Sequence, residues 1–410
     1  AVADRLIGGN FGDNPDQVSD VITAAAFVNN ATGDFNRVIA GDNARVDFDR
    51  FGNWTEFQSL DTERATGGNS FIQIGTGADG VNRDLGSNFV IGGMGDDIIL
   101  VSATVNNEGA RVQGVANSED VLIGDNGRIL RSESSGRSDT DLPNRMLSVT
   151  SLVPPLGGDD RIHTADGGKV IIGGINADTL TALDGTNLVF GDNATLLYDA
   201  IGETGILQQA FSTERVFGGD DAIRLGEGYK LVAGARGDDT ISVDASERPT
   251  ARDEGFDAKD GFTYLAGVTG IAAVVGGASP TSAQRAENRG RTGRFIAGDN
   301  AEFRFDRLGG LISVVTTDQI SATGGADAIT IGARNTTGDL GFQLVLGGMG
   351  DDTIRVEPGS YSATVALGDN GRFERRSSTY ELDAIESTVT STGGRDVISG
   401  AMSGGELAAF

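Results

Sequence analysis

Residues 92–99 read GGMGDDII, and residues 347–354 repeat this stretch almost unchanged as GGMGDDTI. Looser copies occupy residues 173–180 and 234–241, and a degenerate copy starts at Gly8. Glycine turns that recur and each lead into a short aliphatic run are typical of a solenoid, in which every repeat stacks on its neighbours. We call this long glycine turn the type-one turn.

Two further turns alternate with it. The type-two turn is Gly-Asp-Asn, at residues 41–43, 124–126, 191–193, 298–300 and 368–370. The type-three turn is Gly-Gly-x-Asp-x-Ile, at residues 157–162, 218–223, 324–329 and 393–398, with Ser70 replacing the Asp in the copy at Gly67. The order one, two, three holds through five rounds. It predicts one continuous solenoid over 1–410 with five three-coil units, at about 1–78, 79–166, 167–228, 229–334 and 335–410.

Spacing predicts the shape of a coil. Asp160 and Asp178 are 18 residues apart, and a second glycine turn lies half-way between them at Gly167. A coil of two short strands and two turns follows, so the predicted fold class is all-β, a parallel β-roll or β-solenoid of about 18-residue coils. Aliphatic residues at equivalent places should form two columns across a thin core: Ile99, Leu180, Ile241 and Ile354 in one, and Val90, Ile171, Val232 and Val345 in the other.

Insertions interrupt this period. After each type-two turn the chain alternates polar and apolar residues, passes a glycine turn and alternates again, as in residues 45–50 and 55–60. This pattern predicts a β-hairpin, and successive hairpins should stack along one side. Residues 244–291 are polar and lack the period, which indicates an inserted loop or small lobe.

Composition excludes several classes of protein. The 410 residues include 63 Gly, no Cys and one His, and the formal charge is -27. Disulfides and thiolate chemistry are therefore excluded, and acid–base catalysis by histidine is disfavoured. The negative charge argues against nucleic acid as a partner, and the short aliphatic runs argue against membrane insertion.

The repeated aspartates need a counter-charge. Equivalent carboxylates on successive coils would lie about 5 Å apart and repel by roughly 3 kcal/mol at an effective dielectric of 20. A hard divalent cation held by carboxylate and carbonyl oxygens would relieve this repulsion, and Ca²⁺ suits flexible all-oxygen sites. The sequence therefore predicts calcium binding that is coupled to folding.

The type-one turn also resembles the nonapeptide G-G-x-G-x-D-x-U-x of RTX, or hemolysin-type, calcium-binding proteins. The resemblance implies a calcium-binding β-roll in a protein that is secreted from, or displayed on the surface of, a bacterium. Asp97 and Asp352 match the ligand position, as do Asp178 and Asp239 with one glycine of the motif replaced. Gly93, Gly95, Gly348 and Gly350 match the turn glycines, whose carbonyls would complete the sites.

The other two turns match the nonapeptide less fully. Type three keeps the aspartate and the following isoleucine in a turn two residues shorter, so the resemblance extends to Asp160, Asp221, Asp327 and Asp396. Type two has its aspartate at the second position of the motif. Each type-two aspartate either binds calcium or forms an Asx turn, and the sequence leaves both alternatives open. These aspartates are Asp42, Asp125, Asp192, Asp299 and Asp369.

Uniform repetition favours a structural or adhesive extracellular protein over an enzyme. The chain opens with type one and closes with type three, so a second copy would continue the order, and head-to-tail stacking into a filament or surface layer is expected. Surface polysaccharide is a further candidate partner. The alternatives are a calcium-dependent polysaccharide lyase on a parallel β-helix and a glycan-binding adhesin module.

Overall fold

Short apolar segments between glycine turns form the strands of a computed structural model, and the part of the chain described below contains 31 of them, numbered β1 to β31 in sequence order. The structure describes residues 5–7, 20–25, 36–63, 66–76, 87–101, 119–133, 145–152, 156–164, 168–183, 185–199, 205–226, 228–243, 293–307, 309–320, 323–332, 342–357, 364–377, 382–388, 393–400 and 407–409. These residues contain no helix, and hence none that could cross a membrane. The predicted insertion at 244–291 and the degenerate turn at Gly8 lie outside the described residues.

The strands form two long parallel sheets and one antiparallel sheet. Sheet A has eleven parallel strands: β1 Arg5–Ile7, β3 Asn36–Ala40, β7 Ser87–Ile91, β9 Glu119–Ile123, β13 Gly168–Gly174, β15 Asn187–Asp192, β19 Lys230–Ala235, β21 Gly293–Asp299, β25 Phe342–Gly348, β27 Thr364–Asp369 and β31 Leu407–Ala409. Sheet B has ten: β2 Asp20–Ala25, β6 Ser70–Thr76, β8 Ile98–Val101, β12 Arg161–Thr164, β14 Thr179–Ala182, β18 Ala222–Leu225, β20 Thr240–Val243, β24 Ala328–Ile331, β26 Thr353–Val356 and β30 Val397–Gly400.

Sheet C is antiparallel and consists of five hairpins that stack side by side. Its strands are β4 Ala44–Phe48, β5 Trp54–Ser59, β10 Gly127–Arg131, β11 Met146–Ser151, β16 Ala194–Tyr198, β17 Leu207–Ser212, β22 Ala301–Phe305, β23 Leu311–Thr316, β28 Gly371–Arg375 and β29 Leu382–Ser387. Each hairpin follows a type-two turn, so the hairpins expected from the alternating pattern are confirmed.

Strands of sheets A and B alternate along the chain, and we call one A strand with its following B strand a coil. In one coil the type-one turn joins the two strands directly. In the next coil the chain leaves through the type-two turn, forms a hairpin of sheet C and returns through the type-three turn. A set of one motif of each type therefore spans two coils rather than three, because types two and three are the two ends of one insertion.

Sheet A is the middle layer and is buried on both faces. Between sheets A and B lies a core of aliphatic side chains that contains both predicted columns, including Ile171 and Leu180. Between sheets A and C lies a second core rich in aromatic residues, in which the rings of Trp54 and Phe89 meet edge to face at 4.8 Å. The expectation of one thin core was therefore incomplete. A sheet covered on both faces needs continuous apolar strands, as in β13, where every residue is buried.

Candidate functional site

Eight aspartates form one continuous row, which we call the inner ladder. Each stands directly before a strand of sheet B, at the end of a type-one or type-three turn: Asp97, Asp160, Asp178, Asp221, Asp239, Asp327, Asp352 and Asp396. The backbone N–H of each of the first seven donates to Oδ1 of the next, at 2.7 to 3.1 Å. Ser70 begins the row and donates its N–H to Oδ1 of Asp97 at 2.6 Å. The type-one and type-three aspartates thus lie in a single row, as their matched position in the motifs requires.

The inner ladder is shielded from solvent. Its first seven aspartates are at most 2% exposed. Each of these seven has a buried Oδ2 without a hydrogen-bond partner: Asp97, Asp160, Asp178, Asp221, Asp239, Asp327 and Asp352. An ionised carboxylate in this setting carries a large desolvation penalty. The row therefore requires neutralisation by a bound proton or by a cation.

A column of glycines explains how the carboxyls fit. From Gly92 onward, the glycine that begins each described type-one or type-two turn lies against one ladder carboxyl. An added Cβ would meet the Oδ2 of that carboxyl at 1.9 to 2.5 Å: Gly92, Gly124, Gly173, Gly191, Gly234, Gly298, Gly347 and Gly368. Seven of these positions would also bring the Cβ within 2.5 Å of the carbonyl oxygen of the next glycine in the column. The ladder therefore leaves room only for glycine at this position of the turn.

Burial dominates the electrostatics of this row. It raises the pKa of the carboxyls well above the ordinary value, and neighbouring aspartates raise it further, as Asp160 does for Asp97 and Asp352 does for Asp327. For Asp352 the pKa rises to about 7. The backbone N–H donors act in the opposite direction but do not cancel the shift.

The type-two aspartates hold separate coils together, and we call them the clamp aspartates: Asp42, Asp125, Asp192 and Asp299. The carboxyl of Asp125 accepts the N–H of Gly158 at 3.0 Å through Oδ1 and that of Ile175 at 2.6 Å through Oδ2. The other three accept equivalent pairs, with one donor from a type-three turn and one from a type-one turn. These donors lie 26 to 52 residues away along the chain, so these bonds differ from the local Asx turns of the sequence alternative.

The fifth type-two aspartate, Asp369, differs from the clamp aspartates. Its Oδ1 is buried without a hydrogen-bond partner. A Cβ added at Gly393 would lie 1.5 Å from that oxygen, so the carboxyl packs against the last type-three turn. Asp369 therefore has the same position in the fold as the clamp aspartates, but it accepts no equivalent pair of N–H bonds from the described residues.

A second, exposed row runs beside the inner ladder, one residue earlier in each turn. Here the direction of donation is reversed: the N–H of Asp159 donates back to Oδ1 of Asp96 at 2.9 Å, and that of Asp238 to Asp220 at 2.9 Å. Side-chain acceptors are lacking where Ala177 and Ala326 take the position. Because this outer ladder has such breaks and the inner ladder has none, the inner one is the continuous element.

Sequence reasoning missed a buried polar row at the start of the sheet A strands. Lys169 and Asp120 form an ion pair of 2.5 Å with both side chains fully buried, and Asn88 donates to the same carboxylate at 2.7 Å. Lys230 donates to the carbonyl of Gly185 at 2.6 Å. A charged residue directly before a continuous apolar run, as Lys169 is before 170–172, was the available signal.

The described residues fit the expected calcium sites only in part. The partnerless Oδ2 atoms are the kind of group a cation would satisfy, and the predicted turn glycines have positive φ: Gly93 at 120°, Gly95 at 97°, Gly348 at 122° and Gly350 at 134°. However, the described residues include no group of three or more acidic or histidine side chains placed to hold a metal ion. Each Oδ1 already accepts an N–H and each Oδ2 packs on glycine, whereas Ca²⁺ takes 6–8 oxygens. The described side chains alone supply too few oxygens for a calcium site, the turn carbonyls would have to supply the others, and calcium binding stays a prediction.

Comparison of the chain with family models, with curated proteins and with solved structures finds no match. The RTX resemblance therefore rests on the motif alone.

Proposed function

We propose that this protein is a structural or adhesive repeat protein that acts outside the cell or on its surface, as a stiff β-solenoid of about 18-residue coils. The observation that carries this proposal is the inner ladder, which continues through every described coil from Ser70 to Asp396. Equivalent ladder residues lie 18 positions apart where no hairpin intervenes, as for Asp160 and Asp178. A row that repeats the same contact suits a load-bearing element better than a catalytic site, which needs a distinct local cluster.

Self-association of copies head to tail belongs to this proposal. Each ladder aspartate uses its N–H toward one neighbour and its Oδ1 toward the other, so the bonding pattern itself sets no limit on the number of coils. We expect electron microscopy of the concentrated protein to show filaments or sheets that extend along the solenoid axis. Discrete single particles at every concentration would contradict this part of the proposal.

Calcium as the stabilising ion is the second part of the proposal. Its support is the need to neutralise the buried carboxyls, together with the RTX-like type-one turns. If calcium is the counter-charge, chelation should remove most of the β signal in circular dichroism, and adding Ca²⁺ should restore it while Mg²⁺ restores it less. An unchanged spectrum and melting temperature in chelator would refute the role of calcium and leave the scaffold proposal intact.

A polysaccharide lyase and a glycan-binding module are the alternative functions. A lyase would need an Asp and Arg or Lys cluster in one groove, and the -27 charge would repel a polyanionic substrate. Cleavage of pectate or alginate would favour the lyase. Glycan-array binding by the full chain would favour the adhesin.

A further inference from the structure

The outer face of sheet C carries an ordered pattern of charges. The middle residue of each strand faces sheet A, and all but the two end members, Val46 and Ile385, are buried in its core. The residues on either side of it face outward and form two rows along the ten strands. Row one is Arg45, Gln58, Arg128, Thr150, Thr195, Phe211, Glu302, Val315, Arg372 and Glu386. Row two is Asp47, Glu56, Leu130, Ser148, Leu197, Gln209, Arg304, Ser313, Glu374 and Ala384.

Opposite charges occupy the two rows at the same level. Three strands carry one each of Arg and an acidic residue two positions apart: Arg45 with Asp47 in β4, Glu302 with Arg304 in β22, and Arg372 with Glu374 in β28. Between the charged ends, strands β11, β16 and β17 present no charge on this face, and Leu197 there is 39% exposed. The face is therefore uncharged and partly apolar at its centre, with charges at both ends.

We infer that this face pairs with the same face of a second copy, with both copies running in the same direction. A two-fold axis along the stack of hairpins preserves the level of each strand and exchanges the two rows. Arg45 of one copy then lies over Asp47 of the other, Glu302 over Arg304 and Arg372 over Glu374, twice each by symmetry. Leu197 lies over Thr195 at the centre, where apolar and hydroxyl groups meet.

The opposite orientation is less complementary. A two-fold axis along the strands would place the first hairpin over the last, and Glu56 would then face Glu374. Like charges that face each other across an interface cost affinity. The same axis would place Arg45 over Glu386, so the opposite orientation has one attractive and one repulsive kind of charge contact, whereas the parallel orientation has three attractive kinds and no repulsive one. Charge therefore favours the parallel arrangement.

The face is large enough for a specific pair. Ten strands at about 4.8 Å spacing and five residues at about 3.3 Å give roughly 45 by 17 Å, or roughly 750 Å² per copy. Stable interfaces bury about 800 Å² per partner. Such pairing is lateral and closed, so it is separate from the head-to-tail stacking proposed above.

Sedimentation of the full chain across the micromolar range tests the inference. Wild type should form a closed dimer that weakens with salt. Arg304→Glu should raise the dimer dissociation constant by about tenfold or more, because the introduced carboxylate of each copy would face Glu302 of the other copy, at two symmetric places. The double variant Glu302→Arg with Arg304→Glu exchanges the rows and should restore the constant to within about threefold.

Arg224→Glu is the matched control, since it makes the same charge change at an exposed residue of β18 in sheet B. It should leave the dimer unchanged, and circular dichroism should show that all variants keep the fold. An Arg304→Glu variant that dimerises like Arg224→Glu would overturn the inference, as would a wild type that stays monomeric. Open-ended polymers that form equally well in wild type and in Arg304→Glu would also overturn the inference, and they would support head-to-tail stacking. Closed dimers without filaments would support it and count against that stacking.

Discussion

Gly191→Ala should destabilise the protein by about 4 kcal/mol or more, which is exceptional for the addition of one methyl group. The added Cβ would lie 2.0 Å from Oδ2 of Asp221 and 2.3 Å from the carbonyl oxygen of Gly234. Neither atom can move away easily, because the Asp221 carboxyl also accepts the N–H of Asp178 at 2.7 Å and the second contact is backbone. Urea unfolding followed by circular dichroism measures the loss as a lower midpoint at constant slope.

Gly52→Asn is the matched control for this substitution. Gly52 lies in the first hairpin turn at φ 87°, and an added Cβ there would meet no atom within 4 Å. Asparagine tolerates the left-handed region, so the expected change is within about 1 kcal/mol. Equal midpoints for the two variants would show that the glycine column is not a steric requirement.

When divalent cations are removed, Asp352→Asn should leave the stability of the protein equal to or below that of wild type in acid, and raise it above wild type in alkaline solution. Burial first, and then the charges of Asp396, Asp369 and Asp351, raise the pKa of Asp352 from 3.8 to about 7 in the folded protein. A raised folded pKa means that this carboxyl's contribution is fully present below the unfolded value and is lost as pH rises through about 7. The shift corresponds to a loss on the order of 4 kcal/mol across that window.

The asparagine side chain keeps an acceptor for the N–H of Asp327 but does not ionise. The variant should therefore match or fall below wild type near about pH 5 and exceed it near about pH 9 in urea unfolding. Asp383→Asn, at an exposed aspartate of β29, is the control and should show the same difference from wild type at both values. A variant less stable than wild type at alkaline pH, and only when Ca²⁺ is present, would identify Asp352 as a calcium ligand instead.

Local sequence predicted the strands, the turns and the aliphatic columns because these depend on residues close together in the chain. Val90 and Ile99 flank one type-one turn, and both lie in the core between sheets A and B as expected. The hairpins followed from strict alternation after each Gly-Asp-Asn turn. In each case a single segment contains the whole pattern.

Features that depend on distant residues were not predictable in the same way. The clamp role of Asp125 depends on two N–H groups 33 and 50 residues away, and the motif around it shows neither. The second core depends on hairpins folding back over sheet A, although the unbroken apolar run of β13 contained a signal of burial on both faces. The direction of the inner ladder depends on how coils stack, which spacing alone does not determine.

Because the ladder aspartates make equivalent bonds, a chain of this kind can lose or gain whole repeats and keep the ladder continuous. Asp160 and Asp221 both end type-three turns, and each donates its N–H to the next type-one aspartate, Asp178 or Asp239. Removal of residues 161–221 would join Asp160 to Ala222 and bring its N–H to Asp239, the partner that Asp221 has now. Unequal recombination between repeats in a gene of this kind should therefore yield shorter or longer proteins that still fold, provided that the exchange occurs at matching turns.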